Sequence, residues 1–126
     1  MKIGFHFLLL ILLSVGCSAV AQILLKTGMS QPVVAAALGH GGAMRIALQI
    51  AGNLWVLGGL TLYFLGAVVW LFVLAKVDVS YAYPFVGVGF ILTLILGKIL
   101  LGESITAARL VGTLLVSVGV VLIARQ

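Results

Sequence analysis

The chain has 126 residues, 64% of them hydrophobic and 7% charged, with a mean hydropathy of +1.41. No water-soluble domain of this length needs so much apolar surface, and several long apolar runs point to a polytopic membrane protein. The net charge of +5 comes from seven Lys and Arg scattered at segment ends, which argues against a nucleic-acid partner, and the single cysteine, Cys17, excludes a disulfide framework or a Cys-ligated metal site within one chain.

A membrane span needs about 20 mostly apolar residues. Residues 3–25 supply the first. Its start also resembles a signal peptide: Lys2 is basic, an apolar core follows, and Ala19-Val20-Ala21 looks like a small-residue cleavage site. A lipoprotein signal at Cys17 fits less well, because Ser14 stands where such a signal has leucine. The apolar run continues through Ile23, Leu24 and Leu25, which makes it long enough to cross a bilayer. Residues 54–75 give the second span, 81–101 the third and 107–124 the fourth, with Lys98 near the end of the third. Lipid offers no water to satisfy open backbone groups, so the spans are expected to be helices, and alternating barrel-type strands are absent. The expected fold is an all-α membrane protein, one domain of four transmembrane helices over residues 1–126, with no soluble domain.

The connections differ in length. Residues 76–80 and 102–106 are short. Gly102 can end a helix, Thr106 suits the N-cap of the fourth span, and Glu103 would lie near that helix's positive end. Residues 27–53 form a longer connection, broken by Gly39, Gly41 and Gly42 around His40. Within it "MRIALQIAGN" reads either as a short interfacial helix or as an early start of the second span. Four spans place both termini on one side with Lys2, Lys76 and Arg125, and put Lys26, Arg45, Lys98 and Arg109 on the other. That near balance permits insertion in either orientation, although Lys2 favours a cytoplasmic N-terminus.

Enzyme chemistry is not expected. Asp78 and Glu103 are the only carboxylates and both fall in loops. His6 and His40 are too far apart in the chain to read as metal ligands, and no phosphate-binding glycine loop is present, so no metal or cofactor is expected. The spans are more informative. Ser14, Ser18, Gln22 and Lys26 fall every fourth residue and share a slowly drifting helix face. Hydroxyls at such positions commonly bond the backbone or a neighbouring helix, worth about 0.6 kcal/mol each. A glutamine amide is costlier to hide, which favours a polar cavity, while Lys26 suits either a snorkelling anchor or a contact to an anionic headgroup. Gly59, Tyr63, Gly66 and Trp70 share a face of the second span: small residues admit a neighbour's backbone and the aromatics frame a groove, or all four merely pack. In "SYAYPF" Ser80 can cap the third span, Pro84 is expected in its first turn, and Tyr81 and Tyr83 suit an interfacial belt. Gly112 and Gly119, with Thr113 and Ser117 alongside, have the spacing of a helix–helix seam.

Three segments, "SAVAQILLK", "VDVSYAYPF" and "LGESITAARLVGTLLVSVGVVLI", resemble in sequence and order the drug/metabolite transporter superfamily in its smallest, four-span form. The resemblance covers nearly the whole chain apart from residues 28–53 and implies a bundle like that of the small multidrug resistance exporters. Two branches compete. The drug exporters keep a membrane-embedded glutamate eight residues before the lysine of the first span, where this chain has Ser18, and a tryptophan where it has Val86; Tyr83 alone matches. The other branch comprises the paired small subunits that flip undecaprenyl-phosphate-linked aminoarabinose across the bacterial inner membrane. These too have serine at the glutamate position, followed four residues on by a glutamine, here Gln22, and share the "AYP" motif. The resemblance thus implies a lipid-linked sugar or related polyprenyl-phosphate lipid as cargo. The substrate-binding residues would be Ser14, Ser18, Gln22, Lys26, Tyr63, Trp70 and Tyr83. A homodimer, or a heterodimer with a homologous small subunit, would join through Gly112 and Gly119. A small multidrug or metabolite exporter and a non-transporting membrane subunit are the alternatives.

Overall fold

A computed structural model describes residues 4–125; Lys2, and with it one charge of the expected topology, lies outside them. All regular structure among the described residues is helical. Helix α1 runs Phe5–Met29, α2 Pro32–His40, α3 Ala43–Ala51, α4 Leu54–Leu74 and α5 Val79–Ala82. A 3-10 turn at Tyr83–Phe85 leads directly into α6, Val86–Leu101, and α7 follows at Ala107–Ala124.

At 1.5 Å per residue, the 25 residues of α1 reach about 37 Å and the 21 of α4 about 31 Å, enough to cross a hydrocarbon core of about 30 Å. The stretch Val79–Leu101 is also long and apolar enough to span. The 18 residues of α7 reach about 27 Å, the shortest of the four. Leu9, Phe64, Phe72, Ile99 and Leu115 all point outward from the bundle, as lipid-facing side chains should. The molecule is therefore an all-α membrane bundle of about four spans.

The centre of the bundle is the α1–α4 seam, and glycine makes it possible. A Cβ on Gly59 would lie 2.8 Å from Leu25 Cγ and 3.1 Å from the Ala21 carbonyl oxygen. A Cβ on Gly66 would lie 3.1 Å from Cys17 Cβ and 3.3 Å from the Ser14 carbonyl oxygen. Close backbone approach is how helices associate where lipid removes the hydrophobic drive. Ala21, part of the stretch that looks like a cleavage site, is fully buried in this seam. The other side of α1 meets α6, where Val15 closes over Gly89. Below the seam, Ile11, Val15, Val73, Val77, Ala82, Phe85 and Val120 form the buried core.

Three expectations need correction. The third span begins two residues before 81, at Val79, with Asp78 in the N-cap position and Ser80 inside the first turn, so Ser80 is not its cap. Pro84 consequently falls beyond the first turn. It cannot donate the backbone bond a continuing α-helix requires, and the chain tightens to a 3-10 turn there. The segment "MRIALQIAGN" is not an early start of the second span: α3 stops at Ala51, and α4 starts afresh behind an Asn53 cap. Helix α2 has no counterpart in the sequence reading. Pro32 opens it behind extended Gln31, and Gly41 ends it.

The loop signals behave as their chemistry requires. Gly102 caps α6 in the left-handed conformation at φ 66°, which favours glycine. Thr106 Oγ1 accepts from the Arg109 amide at 3.3 Å and caps α7. Glu103 is exposed, and its carboxylate lies over Gly97 of α6.

Candidate functional site

Helix α1 packs against both α4 and α6, but α4 and α6 make little contact with each other. Their divergence leaves a cleft of about 630 Å³ over one face of α1. Ser14, Val15, Ser18, Ala19 and Gln22 form its floor, Tyr63, Ala67 and Trp70 one wall, and Tyr83, Val86, Gly89, Phe90 and Thr93 the other. Six of the seven residues expected to bind substrate thus meet in one place.

Helix geometry explains both the gathering and the omission. Tyr63 and Trp70 are seven residues apart, a drift of only about 20° around a helix, so both point into the cleft. Each i to i+4 step drifts about 40°, so Lys26 has turned about 120° away from Ser14 by the end of the stripe. Lys26 lies exposed in the last turn of α1 and does not line the cleft.

The polar groups differ in how they are committed. Ser14 is buried, and its hydroxyl donates to the Gly66 carbonyl at 2.7 Å across the seam. Ser18 Oγ donates to the Ser14 carbonyl at 3.1 Å, and Thr93 Oγ1 to the Gly89 carbonyl at 3.0 Å. These hydroxyl protons are engaged by the fold, which leaves the oxygens as acceptors toward the cleft. Gln22 is exposed, and among the described residues its amide has no hydrogen-bond partner. It is therefore the one lining amide with both donors and acceptor available. No lining residue carries a charge. The aromatic rims are open: Tyr63, Tyr83 and Phe90 are 46%, 64% and 54% exposed. The cleft can hydrogen-bond a neutral polar group and stack against a ring, while it offers no counter-ion.

Sequence reasoning missed Val86, Gly89, Phe90 and Thr93. Their spacing from Tyr83, at three or four residues per step, is the same helical pattern that revealed the other wall, and Thr93 is the hydroxyl that could have signalled it. The residues expected at a dimer seam stand apart from the cleft. Among the described residues nothing lies within 4 Å of where a Cβ on Gly112 or Gly119 would be. Among the described residues no group of three His, Cys, Asp or Glu side chains gathers to hold a metal ion.

Architecture and cleft define a class: a small polytopic helical membrane protein with an uncharged cleft, mainly apolar with a few hydrogen-bonding groups, open to its surroundings. Known proteins narrow this. The chain is 34% identical over 74 residues to a protein of Pseudomonas savastanoi pv. phaseolicola named "Probable 4-amino-4-deoxy-L-arabinose-phosphoundecaprenol flippase subunit ArnE", covering 59% of this chain and 65% of that one. It is 38% identical over 61 residues to a protein of the same name from Pseudomonas syringae pv. syringae, covering 48% and 56%. A third of that name, from Pseudomonas paraeruginosa, is 36% identical over 62 residues, covering 49% and 54%. The chain thus spans between half and just under two thirds of the length of these relatives. No family model matches it, and no solved structure gives a significant match. Of the two branches the sequence resembles, these relatives carry the name of the flippase subunits.

Proposed function

We propose that the chain is a small subunit of a transporter that flips a lipid-linked sugar across the bacterial inner membrane. One observation carries this: the cleft is uncharged, sets a few hydrogen-bonding groups among aromatic and aliphatic side chains, and is open sideways between α4 and α6. A sugar headgroup needs hydrogen bonds and a stacking surface but no counter-ion. Gln22, the Ser18 and Thr93 oxygens, and the tyrosine hydroxyls supply the bonds, and Trp70 and Tyr63 the aromatic faces. The lateral opening lets the polyprenyl tail remain in lipid while the headgroup crosses. A phosphate would be costly among groups with no cation. It is held instead near the membrane boundary, where Lys26 is free to meet it. No lining carboxylate is available to couple the movement to protons, so the flip runs down the cargo's gradient.

The cleft has a floor on α1 and walls on α4 and α6 but stays open between those walls, so a second four-span subunit completes the enclosure. That subunit is a copy of this chain or a homologous one, seated on the Gly112–Gly119 face. The termini lie on the same, cytoplasmic, side.

Mass spectrometry of lipids retained through purification tests the assignment. An enriched polyprenyl-phosphate species carrying a sugar is the expected result. Proton-coupled uptake of a quaternary ammonium compound by the reconstituted protein, without such a lipid, would establish the drug-exporter alternative instead. Full flipping by a partner in the absence of this chain would make it a non-transporting subunit.

A further inference from the structure

The hairpin formed by α2 and α3 takes no part in the cleft, and the resemblance to transporters does not cover it. We propose that it is a membrane-surface anchor that binds anionic lipid, with Met44 and Leu48 below the headgroups and Arg45 among them. The proposal is independent of what the cleft carries.

Position comes first. Helices α1 and α4 are both long enough to span, so the end of one and the start of the other lie at the same membrane face. Asn53 Nδ2 donates to the Gly28 carbonyl at 3.1 Å, which ties those two ends together. The hairpin leaves α1 after Met29 and enters α4 at Leu54, so its tethers hold it at the boundary between lipid and water.

Its faces then choose the partner. On α3, Arg45 and Gln49 are one turn apart and share a side. Ile46 and Ile50 are half-buried and turn inward. Met44 and Leu48, also one turn apart, are 73% and 64% exposed, and no residue of α3 is buried. This is the division of an interfacial helix, with an apolar face beside a short cationic edge. Helix α2 buries Val34 and Ala37 but leaves Val33 and Leu38 exposed. Left in water, these side chains would form an apolar patch at a place where acyl chains lie within reach.

Charge selects the kind of lipid. The membrane face that holds the hairpin gathers Lys26, Arg45, Lys98 and Arg109 against the single carboxylate Glu103. Four cations against one anion favour anionic headgroups. Lipid is also the one partner that two membrane spans guarantee at this depth.

Nitroxide labels in the full-length protein test this. On a Cys17→Ala background, Met44→Cys, Leu48→Cys and, as a loop reference, Ser104→Cys are reconstituted in phosphatidylcholine vesicles with and without phosphatidylglycerol. Accessibility to oxygen and to a water-soluble nickel chelate gives the depth of each label. Labels at 44 and 48 should lie about 5–10 Å below the phosphates, the depth of an interfacial helix. They should move deeper with phosphatidylglycerol, and Arg45→Gln should abolish that dependence. Nickel accessibility equal to that at 104 would place the hairpin in water and overturn the proposal. Protection from both reagents would mean a protein covers it and would equally overturn it. Depth indifferent to phosphatidylglycerol would refute anionic selectivity. The two positions report separately, so a labelled variant that fails to fold still leaves the other to decide.

Discussion

Helices α4 and α7 each carry a pair of glycines seven residues apart, yet the two pairs do opposite things. Gly59 and Gly66 of α4 are buried, with α1 backbone and side chains against the space a Cβ would fill. Gly112 and Gly119 of α7 have nothing against them among the described residues. The hydroxyls follow the same division. Ser14 reaches across the seam to Gly66, whereas Thr113 and Ser117 turn back to their own helix, donating to Arg109 and Thr113 carbonyls at 2.8 and 2.7 Å. Helix α7 is held through the neighbouring face, where Val116 and Val120 pack on Gly87. Glycine spacing therefore marks a face that can admit a neighbour, and only the packing around it tells whether this chain supplies that neighbour.

The largest effect is expected where the space is filled. Gly59→Val would drive a Cβ to 3.1 Å from the Ala21 carbonyl oxygen, and backbone cannot swing aside as Leu25 can. A loss of about 3 kcal/mol is expected, at the upper end for overpacking. Gly58→Val, on the same helix with nothing within 4 Å, should cost less than about 0.5 kcal/mol. Denaturant unfolding of the two variants in detergent measures the difference. Equal losses would mean that intrinsic helix effects, rather than the seam, set the cost.

The next effect concerns transport rather than folding. Ser14 is committed to the seam, but among the described residues the Gln22 amide is bonded to nothing. Gln22→Leu should therefore leave unfolding unchanged and reduce flipping in proteoliposomes by roughly tenfold, the value of about 1.4 kcal/mol of lost substrate hydrogen bonding. Lys26→Ala should act in the same direction, since an exposed cation at a helix end contributes little to stability. If both variants transport normally, the stripe serves only to pack α1.

Much of this was legible in the sequence, for reasons that also explain what was not. The α1 stripe and the α4 face follow fixed helical angles, so Ser14, Ser18 and Gln22 were visible as one side and Gly59 to Trp70 as another. The same angles carry Lys26 off the cleft, a drift that is small per step and large over three. The α6 wall was hidden because Val86, Gly89 and Phe90 are as apolar as any lipid-facing residue, and nothing in their chemistry distinguishes a cleft from a bilayer. The start of the third span shifted to α5 because Asp78 and Ser80 are both good N-cap residues, and local propensity does not choose between them. Helix α2 escaped because Pro32–His40 is short and nearly all apolar, without the polar–apolar alternation that marked α3.

A smaller effect is expected at the end of the seam. Asn53 Oδ1 accepts from the Trp55 and Val56 amides at 2.9 and 3.2 Å, and its Nδ2 donates to Gly28. One side chain thus starts α4 and closes α1. Asn53→Ala should lower stability by about 1 kcal/mol, as loss of an N-cap does. Hydrogen exchange should quicken first at the amides of Trp55 and Val56. Asn53→Asp keeps the cap but loses the Nδ2 donor, so it separates the two roles: it should restore the α4 amides while leaving the Gly28 end loosened.

The smallest effect on the single chain is expected at α7, and it is the most informative about assembly. Adding side chains at Gly112 and Gly119 meets nothing within 4 Å, so Gly112→Leu with Gly119→Leu should change the stability of the isolated chain by no more than about 0.5 kcal/mol at each site. If a second subunit fills that face as α1 fills the face of α4, the same pair of leucines should abolish association. Photobleaching of labelled protein in bilayers counts the subunits directly, and unfolding in detergent at high dilution reports the single chain. Loss of pairs with unchanged unfolding would make α7 the intermolecular counterpart of the α1–α4 seam. Pairs that persist would put the partner elsewhere and leave this face to lipid. A chain that unfolds more easily even when dilute would mean that the glycines serve α7 itself, and the contrast between the two helices would lie in their neighbours within the chain alone.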